Sequence, residues 1–455
     1  MVVPMDVTAQ GFMIAESRNT PMHVGGLQLF TPPEGAGPDY LTGLYEQALA
    51  ATEVAPAFRR RPHRSLATLG QWTWVDDDRI DLEHHVRHSA LPPPGRIREL
   101  LALVSRLHGT LLDRHRPLWE AHLIEGLSDG RFALYTKLHH AVMDGISALR
   151  LLERTLSTDP DARDTPMPFE PQPRSGRPRP PGPGLLGLPG LAAHAAWDLT
   201  TLTPRLLKLG EGLLHEQAAA GPLQAPRSML NVQITGSRRF AAESWPMARL
   251  KAVGAAAGAT LNDVLLAMCA SALRSYLRDL DALPDRPLIA MTPVSLRAED
   301  DEGGGNAVGT ILCNLATDVD DPAERLMAIR ASMLAGKEGL AGLSQLQVTA
   351  LSAAMLSPFV LSQLPGIGPI APPAYNLVIS NVPGPKEPLY WNGARLDGMY
   401  PLSIPLNGQA LNITVTSYAG QVQFGLTGCR RTLPHLQRLL TGLEDGLAAL
   451  EKAFG

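Results

Sequence analysis

Cysteine is nearly absent: Cys269, Cys313 and Cys429 are the three in 455 residues, far apart and with no C-x-x-C pair. They cannot build a disulfide framework, and a reducing, cytoplasmic compartment is the simplest expectation. Aromatic residues are scarce at 5%, which gives no hint of a stacked cofactor. A basic excess is also missing, with 40 Lys and Arg against 44 Asp and Glu. That balance excludes an ordinary nucleic-acid binder, which gathers positive charge on one face. No stretch offers the run of about 18 apolar residues that a membrane span requires. The greasiest segments, 185–202 and 351–370, are broken by Pro189, His194 and Asp198, and by Pro358, Pro365 and Pro369. Residues 1–15 lack the basic start and clean apolar stretch of a secretory signal, so none is expected. Peripheral contact with a membrane stays open.

What is present is an ordinary globular balance, 45% hydrophobic and 18% charged, in a chain too long for one core. One compositional break dominates. Thr165–Gly184 is too proline-rich for helix or sheet and reads as an extended linker, followed by a leucine-rich segment, Leu185–Leu214, and a second proline cluster, Pro222–Pro226. The expected division is an N-terminal domain at 1–164, a linker and connecting helix at 165–228, and a C-terminal domain at 229–455. Both halves mix strands and helices. Arg131–His140 alternates as a strand, with Phe132, Leu134, Thr136, Leu138 and His140 on one face. Thr260–Arg278 reads as a helix whose apolar stripe is Leu261, Val264, Leu265, Met268, Ala272 and Tyr276, N-capped by Thr260. Strands are predicted at Leu288–Pro293, Tyr375–Ser380, Ala410–Tyr418 and Val422–Thr427, the last two forming a hairpin at Ala419-Gly420. A final helix carries Leu436, Leu439, Leu440, Leu443, Leu447 and Leu450.

The segment Lys137–Ser147, KLHHAVMDGIS, holds the chemistry, at the junction of a strand and a helix. An imidazole has a near-neutral pKa and accepts a proton from a hydroxyl at physiological pH. Asp144 and Gly145 follow closely, so the turn is tight, and the carboxylate either pins an arginine or braces the turn. Adjacent histidines alone are often only polar residues at a strand end, and Asp-Gly alone is ordinary turn chemistry. The complete H-H-x-x-x-D-G pattern after an alternating strand is far more specific and points to a catalytic role for this segment. Zinc is disfavoured, because His139 and His140 point to opposite faces of a strand and no H-E-x-x-H or H-x-H spacing accompanies them; no metal site is expected. His84, His85 and His88 form another cluster without partners at useful spacing and are expected on the surface.

His139–Gly145 resembles the H-H-x-x-x-D-G motif of the chloramphenicol-acetyltransferase-like, CoA-dependent acyltransferases and of peptide-synthetase condensation domains. Further blocks, Asn19–Gly26, Arg116–Glu120, Thr260–Val264, Pro293–Arg297 and Ser380–Pro385, resemble the bacterial wax ester synthase/acyl-CoA:diacylglycerol acyltransferase family in order along almost the whole chain. The resemblance implies an α/β (α+β) fold of two chloramphenicol-acetyltransferase-like domains, each a mixed sheet with flanking helices. It implies that His140 takes the proton of an acceptor hydroxyl that attacks the acyl-CoA carbonyl. No covalent acyl-enzyme is needed, in keeping with the lack of a G-x-S-x-G elbow. His139 and Gly145 would support the turn, and Asp144 would be structural, paired with Arg297. Asn262 and Asp263 match the family's Asn-Asp motif and either position substrate and oxyanion or, with Thr260, simply start a helix. Pro117, Leu118 and Trp119 either line the acyl passage or belong to the core.

The expected reaction is acyl transfer from acyl-CoA, a co-substrate rather than a bound cofactor, to diacylglycerol or a long-chain alcohol. Alternatives on the same fold are a polyketide or other secondary-alcohol acyltransferase and an amine-condensing domain. A different class is a non-catalytic lipid-surface protein docking through Leu185–Leu214. Peripheral contact with the inner face of a membrane or with lipid droplets fits either class.

Overall fold

The computed structural model describes residues 2–68, 70–171, 224–295, 308–344, 347–348, 350–352, 355–356 and 373–455. The proline-rich linker from residue 172, the segment Leu185–Leu214 and Arg297 lie outside them. The first stretch contains β1 (Val2–Pro4), α1 (Val7–Ala15), β2 (His23–Thr31), α2 (Tyr40–Leu49), α3 (Pro56–Arg59), β3 (Arg60–Arg64), β4 (Trp72–Asp76), α4 (Leu82–His85), β5 (Val86–Ala90), α5 (Ile97–His108), β6 (Trp119–Glu125), β7 (Phe132–His139) and α6 (Gly145–Arg154). The middle of the chain contributes β8 (Arg238–Pro246), α7 (Met247–Ala257), α8 (Leu261–Arg278), β9 (Ile289–Ser295), β10 (Val308–Asn314) and α9 (Pro322–Leu340). It ends with β11 (Leu377–Val382), β12 (Tyr390–Trp391), β13 (Ala394–Leu402), β14 (Leu411–Tyr418), β15 (Gln421–Cys429) and α10 (Arg438–Phe454).

These elements gather into two compact units that interleave in sequence. One takes its described residues from 1–173, 233–247 and 382–437, the other from 174–232, 248–381 and 438–455. The linear division at 164 and 228 does not follow these units, because β8 and β12 to β15 return to pair and pack with the first stretch.

The first unit is built on a six-stranded sheet ordered β12-β13-β2-β7-β6-β5, antiparallel except for the parallel β5·β6 pair. Strand β7 lies inside it, and all eight of its residues are buried. Period-two alternation explains why. Phe132, Leu134 and Leu138 join a core with Leu44 and Ala48 of α2, Ala148 of α6, Phe58, Trp119 and Trp391. Ala133 and Tyr135 face the other way, into a core with Leu100, Leu101 and Val104 of α5 and with Leu27 and Leu29 of β2. Each large side chain so buried contributes roughly 1.5–3 kcal/mol. In the same unit β15 pairs antiparallel with both β14 and β8. The predicted hairpin is there: Tyr418 pairs with Gln421 around Ala419 and Gly420, whose φ values are 44° and 78°. Left-handed φ at both positions is what a two-residue turn of this hand demands, and glycine meets it without strain.

In the second unit β9 pairs antiparallel with β10 and parallel with β11, so this sheet is mixed as well. Helix α8 packs along α10, and Gly442 and Gly446 explain the closeness. A Cβ at Gly442 would lie 2.8 Å from Ala272 Cα, and one at Gly446 2.7 Å from Ser271 Cβ. Arg249 of α7 ties the outer face of α10, donating to Glu444 and Glu451 over 2.8–3.0 Å. Among the described residues no single helix is long and apolar enough to cross a membrane; α7 and α8 pass such a test only together, and they are bent by 103°. All three cysteines are free and buried. Burial pushes the Cys269 and Cys313 thiols up to about 12.

Candidate active site

The site begins with the register of two strands. His23 of β2 stands opposite His139 at the end of β7, and the next residue, His140, donates its N–H to Met22 O over 2.8 Å. The chain then turns at Ala141–Met143 and enters α6. Asp144 is the N-cap: its Oδ1 accepts the Ser147 N–H at 2.7 Å and its Oδ2 the Ser147 hydroxyl at 3.0 Å. Of the two roles foreseen for this carboxylate, bracing the turn is the one observed. The proposed partner Arg297 lies outside the described residues, and among these Asp144 has no ion pair. Gly145 opens α6 with open space around its Cα.

The two histidines sit in opposite circumstances. His139 is fully buried, and its Nδ1 accepts the Ala141 N–H at 3.0 Å. That fixes the proton on Nε2, which lies 3.3 Å from Glu16 Oε1, close but poorly aligned for a hydrogen bond. Glu16 also receives Arg114 Nε and Nη2 at 3.0 and 2.9 Å and the Met22 N–H at 3.1 Å. Burial raises the Glu16 pKa, but His139, Met22 and Arg114 together outweigh it and hold the carboxyl below its ordinary value. His139 is thus a pinned member of a buried ionic cluster.

His140 is bound only at its backbone. Its ring stacks on Phe12 of α1, centroids 4.2 Å apart and planes inclined by 24°, and among the described residues no other side chain hydrogen-bonds it. Burial lowers its pKa below 6.5, with Asp144 and its own backbone pulling back only in part. The result is a neutral, oriented imidazole with ring nitrogens unclaimed by other side chains, the state a general base needs.

Below this turn the sheet buries further polar groups that the sequence did not single out. Lys137 is completely buried, with Nζ on Leu107 O at 3.2 Å, Thr110 O at 3.1 Å and Glu120 Oε2 at 3.0 Å. Burial raises the Glu120 pKa, yet His122, Lys137 and Arg87 pull it down to about 2. His23 Nε2 donates to His108 O at 2.7 Å, and His108 Nε2 to Ser403 O at 3.0 Å, so the Tyr135 hydroxyl donates to His108 Nδ1 at 2.9 Å. Desolvation takes His108 down to about 3. The only forward signal was parity: Tyr135, Lys137 and His139 share the strand face opposite His140. Glu16 and Phe12 left no such signal.

The remaining candidates fall elsewhere. Trp119 is a core residue, donating Nε1–H to Phe58 O at 2.8 Å and stacking on His85 and Phe169. With Leu134 and Leu138 it lines an apolar cavity of about 40 Å³, room for a water or two but not for a long acyl chain. Leu118 packs in a separate cluster with Met5, Ala9 and Met13, and Pro117 is buried beside it. The surface expectation for His84, His85 and His88 is corrected: His85 is 1% exposed with Nδ1 donating to Trp119 O at 2.8 Å, and His84 and His88 are half-buried. Stacking on Trp119 draws His85 in, while His84 lies edge-on to His85 and His88 tilts against Tyr45. In the second unit Thr260 and Asp263 form a capping box, with Asp263 Oδ2 accepting from Thr260 N at 2.9 Å and Oγ1 at 2.7 Å. Asp263 is therefore occupied in starting α8, whereas Asn262, half-buried, makes no side-chain hydrogen bond among the described residues.

The first condensation domain of the CDA synthetase shares the fold, with a TM-score of 0.59 at 15% identity over 100% of this chain and 97% of that one. A wax ester synthase/diacylglycerol acyltransferase from Marinobacter aquaeolei VT8 is nearer, at TM-score 0.80 and 46% identity over 100% of both chains. A Mycobacterium tuberculosis protein named "Probable diacyglycerol O-acyltransferase tgs2" is 54% identical over 98% of each chain. The wax ester synthase/diacylglycerol acyltransferase catalytic domain matches residues 5–265, and the WS/DGAT C-terminal domain matches 304–451. The chain belongs to the wax ester synthase/diacylglycerol acyltransferase family, and it is an acyltransferase.

Proposed function

We propose that the protein moves a long-chain acyl group from acyl-CoA directly to the hydroxyl of diacylglycerol, of a long-chain alcohol, or of both, with His140 as general base. The observation that carries this reading is the contrast at the turn: His139 is locked into the Glu16 cluster, while His140 is oriented, neutral and bonded by no other side chain among the described residues. A free ring nitrogen of His140 takes the acceptor's proton as its oxygen bonds to the thioester carbon. The tetrahedral oxyanion then collapses, the C–S bond breaks, and the departing thiolate takes the proton back from the imidazolium. His139, Asp144 and Gly145 hold the turn. Asn262 is the candidate amide donor for substrate or oxyanion. Because both substrates partition into lipid, contact with the inner face of a membrane or with lipid droplets follows, and the leucine-rich segment 185–214 is its candidate anchor.

The test is thiol release from palmitoyl-CoA with hexadecanol or dioleoylglycerol, in wild type and His140→Ala. Acceptor-dependent release that falls by about a hundredfold or more in the variant is expected. Activity surviving in the variant would remove His140 from the mechanism, and the better acceptor distinguishes wax ester from triacylglycerol synthesis. Flotation with vesicles, compared with a chain lacking 185–214, tests the anchor.

A further inference from the structure

A second concavity lies within the first unit, away from the apolar void. It has a volume of about 600 Å³ and is lined by Arg18, Arg106, Arg238 and Arg430, with no aspartate or glutamate among its lining residues. Three of these arginines are exposed at its rim; Arg238 is 4% exposed. Its guanidinium donates to Thr235 O and, over 2.9 Å, to Asn19 O, both neutral carbonyls. Among the described residues none of the four has an ion pair. The Cys429 thiol offers the buried Arg238 cation only partial compensation, and three further cations stand beside it, so the cavity holds a standing attraction for anions. Its wall is close-packed backbone: a Cβ at Gly236 would collide with the Arg18 carbonyl oxygen, and one at Gly109 would lie 3.0 Å from Gly236 O.

We infer that this arginine-lined cavity binds the phosphates of the acyl donor, the 3′-phosphoadenosine diphosphate end of acyl-CoA. The inference rests on the acyl-CoA reading above. Three observations select this occupant. The cavity is polar and larger than a single phosphate needs. It is concave, which suits a nucleotide rather than a flat lipid surface. Its lining also comes from segments that flank the bracing cluster: Arg18 follows two residues after Glu16 in the chain, and the Thr110 carbonyl accepts the Lys137 ammonium. The same wall already stabilises negative charge. Burial raises the Cys429 thiol, but donors from Thr235 and Thr432 outweigh it and bring the group down to about 7. Helix α5 ends here with its carbonyls, which disfavour an anion, so the arginines must more than offset that end of the dipole.

Calorimetry with CoA, on the full-length wild type and on a variant carrying Arg18→Gln, Arg106→Gln and Arg430→Gln, tests the inference directly. These exposed substitutions spare the fold, and Arg238→Lys serves as a buried companion. Affinity for CoA should fall by about tenfold or more in the triple variant, the size expected for lost charge-assisted bonds. The KM for palmitoyl-CoA should rise in parallel, while turnover of S-palmitoyl-pantetheine, which lacks the nucleotide, stays at the wild-type rate. Unchanged CoA affinity, or an equal loss with both thioesters, would overturn the inference. So would intact CoA affinity with lost flotation on phosphatidylglycerol vesicles, which would assign the cavity to a lipid headgroup. If wild type releases no thiol with any acceptor, the acyltransfer reading fails, yet CoA calorimetry still decides the cavity.

Discussion

The strand-end turn at His139–Gly145 and the helix start at Thr260–Asp263 follow one logic with different materials. In each, one of two neighbouring polar side chains is consumed by structure and the other is left without a side-chain partner among the described residues. At the turn a buried ion cluster takes His139 and leaves His140. At the helix start a capping box takes Asp263 and leaves Asn262. The family resemblance separates His139 from His140 but leaves Asn262 and Asp263 together, and packing gives each of the four a distinct setting.

The comparison breaks most visibly at His140. His140→Ala should lower kcat by about a hundredfold or more with little change in stability, measured by thiol release and by denaturation. Glu16→Ala attacks the consumed partner instead. It leaves Arg114 and His139 without their carboxylate and should cost about 3 kcal/mol in urea denaturation, with the activity of the remaining folded protein reduced. The helix start should show the smaller version of this split. Asp263→Ala should destabilise by about 1 kcal/mol with kcat nearly unchanged, whereas Asn262→Ala should leave stability alone and lower kcat by about tenfold. A reversed pattern would make Asn262 a first-turn residue and nothing more.

pH gives the mildest probe. His140 acts unprotonated, and burial places its folded pKa below 6.5, so kcat/KM should hold through neutrality and decline only on the acid side of that value. Stability should fall over a similar range for another reason. His108 has a folded pKa of about 3, so below about pH 6.5 the unfolded chain binds a proton that the folded chain refuses. Stability is therefore lost progressively as pH drops from about 6.5 towards 3. Thermal denaturation across that interval separates the two effects, since an activity loss that merely tracks unfolding would point away from His140.

Much of the local architecture was legible. The alternation of Phe132–Leu138, the Thr260 cap and the Ala419-Gly420 turn depend on residues within a few positions of one another, and each was found where expected. Glu16 was not legible, because its meaning comes from Arg114, 98 residues away, and from the end of β7. The interleaving of the two units was hidden for the same reason: β13 lies beside β2, and no local pattern announces a return from so far along the chain. The histidine cluster at 84–88 misled because it carries no apolar signal; Trp119 buries His85 by offering its indole face and a carbonyl.

Lys137 offers a further use. The chain has only six lysines, and this one is wholly enclosed, its ammonium held by Glu120 and two carbonyls inside the sheet. An amine-acylating reagent reaches it only when strand β7 separates from its neighbours. The labelling rate of this single side chain, read by mass spectrometry, is therefore a clock for sheet opening. Whether a bound acyl donor slows that clock would report how tightly substrate and scaffold are coupled, without any turnover taking place.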